Sequence, residues 1–165
     1  MKVAVICEYS GVVRDAFIAA GHEAISCDLL PSDAPGPHIQ GNCLDQDWST
    51  YDLAICHPPC THLCNSGVRW LKNNPTRQAL MSDGCWFFRQ MLDLPVPRIA
   101  VENPIPHKYA VEQIGRKYDQ IIQPWQFGHG ETKATCLWLK KLPLLLPTNI
   151  VDGREGRIHK LPPSK

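Results

Sequence analysis

Short apolar runs alternate along the chain with segments of helical period. KVAVIC (2–7) is rich in β-branched residues and is closed by Glu8-Tyr9-Ser10-Gly11. The following VVRDAFIAAG repeats apolar side chains at Val13, Phe17 and Ile18 before Gly21 stops it, which predicts strand, turn and helix. HEAISCD (22–28) predicts a second strand ending on Asp28. LLPSDAPGPHIQG (29–41) is expected to be loop throughout, because its prolines lack donors and fix φ. YDLAIC (51–56) and PRIAVEN (97–103) predict a third and a fourth strand. Between them RQALMSDGCWFFRQML places apolar residues at 80, 81, 85, 87, 88, 91 and 92, a helical period interrupted only by Gly84. Past Pro106 the pattern weakens to a short helix near 107–117, DQIIQ, β character in KATCLWL and a proline-rich end.

Apolar strands alternating with helices imply an α/β protein, a mostly parallel sheet with helices on both faces. The 165 residues suit one domain, assigned to 1–150, followed by a basic proline-containing tail, 151–165. Hydrophobic residues at 44% and charged residues at 20% exclude a disordered or fibrous chain. The net charge of +1 neither demands nor forbids nucleic acid. Arg154, Arg157, His159, Lys160 and Lys165 crowd the end, as a solvated tail or a phosphate contact. No apolar run reaches the roughly 18 residues of a membrane span, and MKVAVICEYSG lacks a signal-peptide cleavage pattern. A cytoplasmic protein with eight reduced cysteines is the expectation.

In an open parallel sheet, ligands collect at the carboxyl ends of the strands, beside the point where strand order reverses. Glu8 to Gly11, Asp28, His57 to Cys60 and Glu102-Asn103-Pro104 all follow strands in this way. Asp28, about twenty residues past the first turn, has the spacing of an acid that holds a ribose hydroxyl, which points to an adenosine-bearing ligand.

DLAICHPPCTHLC (52–64) admits three readings: a metal cluster of Cys56, His57, Cys60, His62 and Cys64, a set of packing residues, or a loop presenting one thiol. Structural zinc sites favour two close pairs separated by a long spacer, and five candidates within nine residues do not form that pattern. Packing suits Cys56 inside its strand. Cys60 follows Pro58-Pro59 in a rigid turn at the strand end, which suits a nucleophile. Glu102, at the next strand end, can present a carboxyl group to N3 and N4 of cytosine and make C6 electrophilic. No metal is expected.

EYSG, HPPCTHLCNSG and VENP resemble, in succession, the F-x-G-x-G-G, G-P-P-C-Q-x-F-S-x-x-G and E-N-V turns of the DNA (cytosine-5) methyltransferases. Pro58, Pro59, Cys60, Leu63 and Gly67 fall in register, with Cys64 where that family has serine, and Glu102 and Asn103 match the third turn. CEYSG…DLLP, PGPHIQG and QPWQFGHGETKATCLWLK resemble the short phage and prophage proteins of this group, implying a phage-encoded protein of a bacterial host cell. The resemblance implies a class I methyltransferase (Rossmann-like) fold binding S-adenosyl-L-methionine. Glu8, Tyr9, Ser10, Gly11, Asp28, Asp45 and Pro58 would lie at the cofactor, and Cys60, Glu102, Asn103 and Pro59 at the chemistry. Cys60 would add to C6 and the methyl group would go to C5. His57, His62, His129 and Lys133 are the substrate-binding candidates; for the QFGHGETK loop a surface hairpin is the competing reading.

This chain departs from the pattern at Val13 and Arg14, in place of glycines expected to let the cofactor approach, at Asn42 in place of an aspartate, and at Thr61 in place of glutamine. No Q-x-R-x-R motif or segment of target-recognition length follows. Flipping a duplex base costs a few kcal/mol, so the expected partner is DNA, single-stranded or met through a dimer or partner subunit, or else a free pyrimidine nucleotide. A non-catalytic binding protein of the same fold is the remaining alternative.

Overall fold

Alternation along the first strand, β1 (Lys2–Ile6), sends Val3 and Val5 to one face and Ala4 and Ile6 to the other, and all four are fully buried. A central strand buried on both faces needs layers on both sides. A computed structural model of the chain describes residues 1–156, the side chains at 66, 67 and 70 excepted. It supplies those layers with α1 (Val12–Ala19), whose Val13 and Phe17 pack on Val3 and Val5, and, on the other face, α2 (Pro75–Leu92) and α3 (Lys108–Ile114).

The remaining strands are β2 (Glu23–Asp28), β3 (His38–Gln40), β4 (Leu53–Cys56), β5 (Arg98–Pro104), β6 (Gln120–Ile122) and β7 (Thr135–Lys140). They form one sheet of order β3-β2-β1-β4-β5-β7-β6. The β1–β2, β1–β4, β2–β3 and β4–β5 pairs are parallel, and β7 alone is reversed, antiparallel to both β5 and β6. This mostly parallel sheet with helices on both faces is the class I methyltransferase (Rossmann-like) architecture. Strand order reverses between β1 and β4, so their carboxyl ends frame the crevice where such sheets bind ligands.

One predicted loop is only partly a loop. His38–Gln40 pair in parallel with Ser26–Asp28, and Ser26 N donates to Pro37 O at 3.1 Å. Pro37 is the last donorless residue of the segment, so pairing starts there. YDLAIC is therefore the fourth strand and PRIAVEN the fifth. Gly84 does not interrupt α2; its missing side chain leaves room for Leu63, whose Cδ2 lies 3.4 Å from where a Cβ would stand. Asn74 caps the same helix, accepting from Arg77 N at 3.0 Å, with Pro75 in the first turn. Trp138 anchors the core on the α2 face, edge-on to Phe88 at 4.7 Å and to Tyr118 at 5.8 Å, and its Nε1 donates to Arg116 O at 3.0 Å.

Arg14 fixes the segment between β2 and β3. Its side chain is fully buried, and the guanidinium donates to Ser26 Oγ (3.2 Å), Ser32 Oγ (3.2 Å), Pro35 O (3.0 Å) and Asp15 Oδ1 (2.8 Å). The two glycines in contact with it leave it room. A Cβ on Gly11 would stand 2.5 Å from Arg14 Nη2, and one on Gly36 would stand 2.8 Å from Arg14 Cζ, with both glycines at positive φ (76° and 145°). The Arg14 side chain points into the proline segment and packs against Gly11 of the turn after β1.

Arg14→Ala leaves several buried acceptors without a donor and should cost about 3 kcal/mol. Arg14→Lys, with a point charge in place of a planar fork, should recover only part of that. Urea denaturation reads both; an unchanged midpoint in Arg14→Ala would contradict the anchoring role.

Candidate active site

At the end of β1 the chain turns through Cys7, at φ 59°, into Glu8, which is 6% exposed. The Glu8 carboxylate accepts from Val13 N (2.6 Å), Ser10 Oγ (3.1 Å) and Arg14 N (3.3 Å). The first amides of a helix have no partner within it, and a carboxylate there is favoured by the helix dipole. Glu8 is thus occupied in starting α1. Tyr9 is exposed, and its carbonyl accepts from Asp33 N at 2.9 Å, tying the proline segment to the turn.

Glu8 N donates to Cys27 O at 3.2 Å, so the ends of β1 and β2 lie side by side. Asp28 there accepts from Leu30 N through Oδ1 at 2.9 Å, and its Oδ2 makes no hydrogen bond among the described residues. Of the residues assigned to the cofactor, Glu8, Tyr9, Ser10, Gly11 and Asp28 are brought together by these two strand ends. Asp45 is exposed, in the 3-10 turn Cys43–Asp45 beyond β3, and Asn42 caps that turn by accepting from Leu44 N at 3.1 Å. Pro58 belongs to the neighbouring loop.

That loop, after β4, is tied at several points. His57 N donates to Ile6 O at 2.9 Å, and Asn103 Nδ2 donates to Pro58 O at 3.3 Å. Leu63 N and Cys64 N both donate to Cys60 O, at 3.0 and 3.1 Å. From α3, His107 N donates to Leu63 O at 2.9 Å, and its Nε2 lies 3.1 Å from His62 O. His107 Nδ1 accepts from Ala110 N at 3.0 Å, so Nε2 carries the proton and donates to His62. Pro59, exposed, and Cys60, half-buried, sit on this tethered loop.

The Cys60 thiol is pushed down to about 6, first by a hydrogen bond from the Cys64 thiol, then by backbone hydrogen bonding and the charge of Lys133, against burial and Glu102. Cys64 is pushed up by the same hydrogen bond and by burial. Its Sγ also lies 3.9 Å from Asn103 Oδ1. Lys133, in the exposed loop before β7, is brought within electrostatic reach of Cys60. His129 is exposed in the same loop and makes no side-chain bond to the site among the described residues.

At the end of β4, His57 Nδ1 lies 3.3 Å from Glu102 Oε2, and each side chain is about a quarter exposed (28% and 26%). His57 Nε2 and His62 Nδ1 are buried without a hydrogen-bond partner among the described residues. Cys56 is fully buried in the core with Phe88 and Trp138, and strand alternation turns His57 the opposite way. Cys56 is therefore turned away from His57. No three His, Cys, Asp or Glu side chains among the described residues converge as a metal site would require. Burial, against the charge of Arg89, lifts the Cys85 thiol to about 11 and is the first cause lifting Cys27 to about 12, as expected of thiols that serve as packing.

Sequence reasoning missed three features here. Arg14 looked like a departure and is an anchor. His107, which the motifs did not single out, holds the Cys60 loop; a histidine just before a helical period could have been read as a cap. The His57–Glu102 pair spans 45 positions, and no local signal marks it.

No protein-family profile and no curated protein matches the chain. Among solved structures it is similar to the 16S rRNA methylase RmtB, at 17% identity over 86% of this chain and 56% of that one, with a TM-score of 0.42. It is also similar to an rRNA methylase from Escherichia coli, at 16% identity over 86% and 57%, with a TM-score of 0.43. The chain thus spans just over half the length of each.

Alkylation of Cys60 by iodoacetamide, followed by mass spectrometry, tests the thiol geometry. The thiolate is the reactive form, so the rate should rise through pH about 6 and level off above it, whereas an ordinary thiol inflects near 9.0. Cys64→Ala removes the donor and should move the inflection upward; Cys64→Ser, which keeps a donor, should leave it low. An inflection near 9 in the unmodified protein would contradict the arrangement.

Proposed function

We propose that the protein is an S-adenosyl-L-methionine-dependent methyltransferase acting on C5 of cytosine in DNA. The observation that carries this reading is the half-buried Cys60, its thiol biased toward thiolate on a tethered strand-end loop, with the Glu102–His57 pair at the end of the next strand. A thiolate and a carboxyl group across one sheet top suit addition to a ring whose opposite edge can be protonated.

Cys60 Sγ forms a bond to C6, and the C5–C6 π electrons move toward C5 while Glu102 delivers a proton to N3. His57, hydrogen-bonded to Glu102, orients that carboxyl group and is placed to replace its proton. Asn103, bonded to the Pro58 carbonyl, holds the loop so that the thiolate meets C6 with little orientational freedom left to lose. Once C5 carries the methyl group, its proton leaves to water, the electrons of that C–H bond re-form the C5–C6 double bond as Cys60 departs with its electron pair, and N3 gives its proton back to the Glu102–His57 pair.

The chain's residues fit the methyl donor. The Asp28 carboxylate, with one oxygen unengaged at the end of β2, suits a ribose hydroxyl, and the adjoining Tyr9-Ser10 turn is polar and accessible. When bound, S-adenosyl-L-methionine supplies an electrophilic methyl group. Lys133 adds positive charge beside the thiolate, where a nucleotide phosphate also gains from it.

Cys60→Ser should abolish methyl incorporation into DNA while leaving cofactor affinity, read by calorimetry, within about tenfold, or about 1.4 kcal/mol. An oligonucleotide carrying 5-fluorocytosine cannot lose its C5 substituent as a proton and should remain attached to Cys60 and to no other cysteine. Undiminished turnover in Cys60→Ser would overturn the covalent route.

A further inference from the structure

A groove of about 940 Å³ opens between the 3-10 turn Asn65–Trp70, the first half of α2 and the start of α3. Arg69, Lys72 and Lys108 line it, and no carboxylate does among the described residues. The whole chain has 17 basic and 16 acidic side chains, so a lining that carries Lys72 and Lys108 and no carboxylate among the described residues is a local departure from near-neutrality. Tyr109 stands at the rim, 46% exposed. Lys108 Nζ lies 4.9 Å from the centre of its ring, and His107 packs at 6.0 Å with its plane tilted by 61°. The floor includes Met81.

We propose that this groove binds a single-stranded polynucleotide, with phosphates on Lys72 and Lys108 and one base stacked on Tyr109. The proposal rests on the reading of Cys60 as a base-modifying nucleophile and extends that reading to the flanking strand. Cations alone suit any polyanion. An exposed aromatic ring among them selects a polymer that carries flat, unpaired rings between its phosphates. A duplex keeps its base faces stacked on one another and gives Tyr109 nothing to receive.

The groove also shares a wall with the nucleophile loop. His107 lines the groove, and its backbone and ring bond to Leu63 and His62; Pro106 pairs with Cys64. A strand seated there passes beside the segment that carries Cys60. An unpaired strand also presents its base without the unstacking cost of flipping.

Fluorescence anisotropy with a labelled single strand of about 12 nucleotides tests this, since one binding site of this kind spans several nucleotides. Lys72→Ala/Lys108→Ala should weaken binding at least tenfold and lower the slope of log affinity against log salt by about 1.4, at about 0.7 per phosphate contact. Tyr109→Leu should weaken binding severalfold, whereas Tyr109→Phe retains it. These positions are exposed, and circular dichroism confirms the folded state of each variant. Unchanged affinity and slope in the double lysine variant would overturn the groove, as would equal binding of the matching duplex or of heparin with no dependence on Tyr109. Adduct formation between Cys60 and free 5-fluorodeoxycytidine monophosphate, which does not need the groove, separates the two readings. Adducts with groove-insensitive strand binding would refute only the groove; groove-dependent strand binding without any adduct would refute only the nucleophile.

Discussion

A guanidinium shut away from water has to find acceptors for its donors, and Arg14 finds them in Ser26 of β2 and in Ser32 and Pro35 of the segment that follows it. That requirement organises one side of the molecule. The proline segment can do little by itself, since prolines cannot donate and most of its residues are too exposed to form a core. Pulled onto Arg14, it exposes its carbonyls inward, delivers Asp33 to the Tyr9 carbonyl and places His38–Gln40 alongside β2. Gly11 and Gly36 follow from the same constraint, because any side chain at either would strike the guanidinium. Glu8 completes the arrangement by holding the first amides of α1, the helix that carries Arg14.

The other half of the crevice is held differently. The Cys60 loop is tied to β1 through His57, to β5 through Asn103 and to α3 through His107, so it has three anchors in separate elements. Such bracing lets a short irregular segment keep a half-buried thiol in a defined place, and the Cys64 thiol lies close enough to favour its deprotonation. The buried nitrogens of His57 and His62 lie in the same region without protein partners among the described residues. The segment 149–156 closes over the neighbouring loop. Val151 N bonds to Trp125 O, Glu155 N to Gly130 O, and Arg154 lies 3.7 Å from the centre of the Trp125 ring. The first residues of the expected tail therefore run along the loop that precedes Lys133; Arg157, His159, Lys160 and Lys165 lie outside the described residues.

Periodicity along the chain was enough to find β1, β2, β4 and β5 and the two longer helices, because a strand buried on both faces and a helix buried on one each leave a local signature. The placement of Asp28 at the end of β2 and of Cys60 in the loop after β4 followed from those elements, whereas Glu102 lies within β5, two residues before its end. The rigidity of Pro58-Pro59-Cys60 was likewise legible, because proline restricts the chain wherever it stands. Other features depended on partners distant in sequence. β3 is three residues long and exists only through its pairing with β2; the reversal of β7 depends on β5 and β6 flanking it. The His57–Glu102 contact, the burial of Arg14 and the cationic groove were decided by tertiary structure alone. Each needs side chains from separate turns to share one place and one dielectric, and a linear pattern records which groups are present without recording which of them lose their water together.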